Sequence, residues 1–98
     1  MCAVVLITAL KQCQDLLRNV GETFWSQKIE SILASHDTKL STDDAQELLS
    51  WYGGMGSFND LIISAVNDHN VKPDDEARFN DELSQLRETI YSKAKQLL

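Results

Sequence analysis

At 98 residues, with 43% apolar and 24% charged side chains, the chain is long enough for one hydrophobic core and too apolar for a disordered segment. Its net charge of −6 is concentrated, because residues 43–82 carry ten acids against two bases, Lys72 and Arg78. That excess argues against nucleic acid, whose phosphates need clustered Lys and Arg, and it suits a basic protein partner.

Ala3, Leu6, Leu10, Cys13, Leu17 and Val20 follow three-four spacing and predict an amphipathic first helix, widened by Ile7, Ala9 and Leu16. Gly21 is placed to end it as a left-handed cap. The apolar opening Ala3–Ile7 lacks the basic start and small-residue cleavage pattern of a signal peptide, and it falls far short of the ~20 residues a membrane span needs. No apolar stretch precedes Cys2, as a lipoprotein signal would require. Cys2 and Cys13 lie roughly 16 Å apart on a helix rising about 1.5 Å per residue, too far for a disulfide. Free thiols and the lack of a membrane segment point to a cytoplasmic protein.

A second helix is expected over Glu22–Ser35, with Trp25, Ile29, Ile32 and Leu33 facing inward and Phe24 at the edge. Ser41 and Asp44 form a capping-box signature for a third helix, whose inner face holds Ala45, Leu48, Leu49 and Tyr52. Gly53 stops it. Ser57 and Asp60 repeat the signature and predict a short fourth helix from Phe58 to about Asn67, with Phe58, Leu61, Ile62, Ala65 and Val66 inside. Pro73 and the acids Asp74, Asp75 and Glu76 suit the start of a last helix carrying Phe79, Leu83, Leu86, Ile90, Ala94 and Leu97. No segment alternates with the period of a strand. One proline and no low-complexity tract leave one all-α domain over residues 1–98, a small antiparallel bundle of four to five helices.

Three of the four glycines, Gly53, Gly54 and Gly56, crowd the turn before Ser57. A structural reading explains them all: Gly53 ends one helix, Gly54 and Gly56 reverse the chain, and Ser57 caps the next. An anion nest is the sharper reading, but no Gly-Lys-Ser/Thr ending follows and Asp60 would repel phosphate. A third reading makes Trp51, Tyr52, Met55 and Phe58 partner-binding anchors with Asp43, Asp44 and Asp60 on an acidic rim. First-turn acids such as Asp43 and Asp74 also serve helix dipoles. His36-Asp37 and Asp68-His69 are the only imidazole–carboxylate neighbours, and neither has the spacing of a zinc motif. Cys13 lies on the apolar stripe, where a thiol acts as a small core residue rather than a nucleophile. No catalytic residue, metal or cofactor is assigned.

The block Tyr52-Gly-Gly-Met-Gly-Ser-Phe-Asn-Asp-Leu61 resembles the signature of a family of small bacterial helical domains of unknown function. Gly21-Glu-Thr-Phe-Trp25 is similar to that family's entry into its second helix. The resemblance covers most of the chain and brings no activity or catalytic set. It places the chain among small bacterial domains that include immunity proteins, which bind and silence a toxin. The function expected is therefore a non-enzymatic protein-binding module, most concretely an immunity-type inhibitor of a basic toxin. A homodimeric structural or regulatory subunit is the alternative, using Val4 and Ile63 off the inner faces of their helices. A small hydrolase using a His/Asp loop ranks last.

Overall fold

A computed structural model describes residues 2–35, 40–53, 57–67 and 69–98. Four helices account for most of them: α1 (Cys2–Asn19), α2 (Thr23–Ser35), α3 (Thr42–Ser50) and α4 (Glu76–Gln96). Three single 3₁₀ turns, Phe58–Asp60, Ala65–Asn67 and Pro73–Asp75, punctuate the chain between α3 and α4. The described residues contain no strand, and the fold is all-α as the periodicity predicts.

The predicted stripe of α1 is the spine of the core. Leu6, Leu10, Cys13 and Leu17 are wholly enclosed, and α1 packs against both α2 and α4. Its end is set by Gly21, whose φ of +76° is a conformation side chains resist. There the Glu22 N–H donates to the Leu17 carbonyl at 2.8 Å and the Gly21 N–H to the Arg18 carbonyl at 3.1 Å. This crossed pair satisfies two end-of-helix carbonyls and turns the chain into α2. Glu22 then accepts the Trp25 N–H at 3.1 Å, capping the new helix with its own side chain.

Helix α3 begins with the expected capping box. Asp44 N–H donates to Ser41 Oγ at 3.1 Å, and Ser41 N–H donates back to the Asp44 carboxylate at 3.0 Å. Gly53 adopts φ +91° just past its end. The helix packs on α4 and buries Ala45, Leu48 and Trp51. At the other end of the chain, Leu83, Ile90 and Ala94 bury the inner face of α4.

The fourth predicted helix is absent. Residues 57–67 instead form two 3₁₀ turns joined by residues 61–64, which lie outside any helix and are entered at an extended Leu61 with ψ 126°. Ser57 has the extended backbone of a cap residue but makes no capping hydrogen bond, and its Oγ is enclosed without a partner among the described residues. The inner face shifts accordingly. Phe58 is buried as expected, but Ile62, Ala65 and Val66 are exposed, and Ile63, expected outside, is wholly enclosed. The cause is tertiary, because side chains from α4 and from the loop itself take the backbone groups that a helix would have paired.

Candidate functional site

The turn after α3 feeds an aromatic column that crosses the molecule. Phe58, at its centre, lies 5.1 Å from Trp25, 5.9 Å from Trp51 and 5.8 Å from Tyr52, measured between ring centres. Tyr52 continues the column to Tyr91 of α4 at 4.9 Å. Trp51 donates its indole N–H to Glu47 at 2.7 Å, and Lys28 sits over its ring at 5.5 Å. Trp51 and Phe58 are thus core residues, not a surface patch, because Trp25 of α2 packs on both of them and Tyr52 packs on Phe58. Tyr52 is half-buried. Met55, Gly54 and Gly56 lie outside the described residues, as do His36, Asp37 and Asp68.

Beside the column opens a cleft of about 600 Å³ between the α3 end and α4, lined by Tyr52, Gly53, Asn59, Arg87, Tyr91 and Lys95 among others. Its floor is already committed to the fold. The Tyr52 hydroxyl donates to the Arg87 carbonyl at 2.7 Å, and burial pushes its acidity well below that of a free phenol. Arg87 spends its guanidinium on three carbonyls, those of Phe58, Asn59 and Leu61, at 2.9, 3.1 and 2.9 Å. The cleft keeps an aromatic wall, with Lys95 5.1 Å over the Tyr91 ring.

The 61–66 stretch is fixed from behind with equal completeness. Asn80 accepts the Ile63 N–H at 2.8 Å and donates to the Ile63 carbonyl at 2.9 Å, pairing with that residue as a neighbouring strand would. Its amide also bonds the Glu76 carbonyl at 2.8 Å, which anchors the clamp on α4. His69 Nδ1 accepts the Ser64 N–H at 3.0 Å, and Glu76 accepts the Ala65 N–H at 3.0 Å. Since Nδ1 is an acceptor, the neutral imidazole carries its proton on Nε2, which donates to Glu22 at 3.2 Å. His69 is buried, and its carboxylate partner among the described residues is Glu22.

The acidic residues divide by employment. Asp44 belongs to the α3 cap, and Asp75 pairs with Arg78 at 3.5 Å. Asp43, Asp74, Asp81 and Glu82 are exposed and form no ion pair among the described residues. The side chain of Asp60 is not described. Cys13 is wholly enclosed, and burial pushes its thiol up to about 12. Among the described residues no three His, Cys, Asp or Glu side chains converge as metal ligands. No described helix is long and apolar enough to cross a membrane.

The sequence reading missed Asn80 and Arg87, which organise this region from 17 to 29 residues away. Their signal was present but weak: a half-buried Asn and Arg interrupt the α4 pattern where its inward stripe meets the turn.

A family model for a domain of unknown function, DUF6966, matches residues 18–72. The chain belongs to that family. The matched span holds both Gly21–Trp25 and Tyr52–Leu61, and it stops before α4, which supplies much of the cleft. No curated protein and no solved structure matches the chain.

Proposed function

We propose that the protein is a non-enzymatic binding module for a basic protein, with an immunity-type inhibitor of a bacterial toxin in the cytoplasm as its most concrete form. The observation that carries this reading is the set of exposed carboxylates at Asp43, Asp74, Asp81 and Glu82, which form no ion pair among the described residues, on a chain of net charge −6. Such a field speeds encounter with a basic partner and adds specificity more than affinity. The groups with chemical potential point the same way. His69 has both ring nitrogens engaged, Cys13 is enclosed, and Arg87 holds three carbonyls.

Of the rim expected from the sequence, Asp43 is exposed, Asp44 caps α3 and cannot be removed without loosening that helix, and the side chain of Asp60 lies outside the described residues. The test is association kinetics with a candidate basic partner at two salt concentrations, comparing the native chain with Asp43→Asn, Asp81→Asn and Glu82→Gln together. The expected result is a slower, less salt-sensitive on-rate with the off-rate little changed. An on-rate indifferent to both salt and the substitutions would end the reading. A homodimeric subunit is the second reading, favoured by Val4 and Val5, which are exposed on α1 beside Leu86 of α4. Sedimentation equilibrium separates the two, because the binding module is monomeric alone.

A further inference from the structure

The stretch between the first two 3₁₀ turns presents two aliphatic side chains on a backbone that the rest of the protein holds still. Ile62 is 59% exposed and Val66 is 89% exposed. Large apolar side chains this open are ordinary when scattered singly on a surface. These two differ because of what lies behind them. The carbonyls of Phe58, Asn59 and Leu61 are held by Arg87, both backbone groups of Ile63 by Asn80, the Ser64 N–H by His69 and the Ala65 N–H by Glu76. Four side chains on two separate segments therefore fix a segment that leaves Ile62 and Val66 exposed.

We propose that residues 61–66 form the docking loop of the binding module, with Ile62 and Val66 as its anchors in a narrow apolar pocket of a basic protein. The proposal rests on the binding-module reading and names its contact point. Two features select this occupant. The clamp leaves neither backbone group of Ile63 free to pair with an added strand, so recognition must run through side chains. Charge complementarity gives the sign of the partner: residues 57–82 carry seven acids against two bases, and the Glu76 carboxylate sits 3.0 Å from the nitrogen next to Val66. Pre-ordering the loop removes the conformational cost that a free segment would meet on binding.

The test uses the full chain with a photo-crosslinking benzoylphenylalanine at position 62, at position 66, or at the exposed Gln27 of α2, irradiated in soluble extract of the native host. Each is competed with unlabelled native chain or with a chain carrying Ile62→Ser and Val66→Ser, whose circular dichroism is first matched to the native one. The expected result is one basic protein crosslinked at 62 and 66 and not at 27. Native chain should displace it, and the double variant should need at least tenfold more. A basic partner competed equally by both chains, or crosslinked as strongly from 27, overturns the docking loop while leaving the binding module standing. Recovery of no basic protein at any position, or of one whose capture ignores salt, overturns both.

Discussion

Cys13 and Ser57 are both enclosed polar side chains, and each makes a measurable demand on the fold. The Cys13 thiol is pushed up to about 12 from 9.0 by burial, with the Arg87 charge opposing it. Above pH 9 the unfolded thiol loses its proton while the folded one keeps it, so the unfolded state binds fewer protons. Stability should therefore fall as pH rises from about 9 toward about 12, by up to about 1.4 kcal/mol per pH unit from this group. Tyr52, raised from 10.0 by burial as well, adds to the loss above about pH 10. Urea unfolding at pH 8 and pH 10.5 checks this, with Cys13→Ala expected to show the shallower decline; equal slopes would refute the assignment. Ser57 reverses the expectation from its sequence position. A capping serine would cost about 0.5–2 kcal/mol when replaced by Ala. Its Oγ is enclosed with no partner among the described residues, so Ser57→Ala should leave stability unchanged or raise it by about 1 kcal/mol. A loss of more than 1 kcal/mol in the same titration would restore the cap.

At the scale of elements, the segment between α3 and α4 is held by α4 rather than by itself. Replacing Asn80 by Leu strands both Ile63 backbone groups, and the cost should be about 2–4 kcal/mol from two buried groups left unpaired. Hydrogen exchange should report it first in residues 61–66, before the helices open. Uniform loss of protection across α1 and α4 would show instead that the clamp is part of the global core. This dependence explains which elements were legible. The first two helices, the third and the last each carry their own stripe and their own terminal signals: Gly21 with positive φ, the Ser41–Asp44 box and Pro73 at the lead-in. Those are local facts, and local pattern reads them. Residues 57–67 had equally helical-looking local pattern, but a bidentate amide 17 residues on outcompetes the i→i−4 ladder. The aromatic turn was misjudged for a related reason. Trp51 and Phe58 stand beside glycines as surface anchors often do, and only the position of Trp25 on α2 decides that they face inward.

At the scale of the molecule, the boundaries of the family match and of the folding unit do not coincide. Residues 18–72 hold α2, α3 and the clamped loop, but the side chains that complete the core lie on both flanks. Among the described residues, ten of the twenty buried apolar ones fall outside that span, including Leu6, Leu10, Cys13 and Leu17 of α1 and Leu83, Ile90 and Ala94 of α4. Asn80 and Arg87, which hold the loop, are outside it too. A fragment of residues 18–72 would keep the rings of Trp25, Trp51 and Phe58 but expose the faces that α1 and α4 cover. At that length even a complete core is marginal. The expected outcome is a fragment with weak helical circular dichroism and no cooperative thermal transition, against a cooperative one for the full chain. Adding a peptide of residues 73–98 should not restore the transition, because α1, which packs on both α2 and α4, is still missing. A cooperative melt of the fragment alone would place the folding unit inside the family match and make α1 and α4 accessories to it.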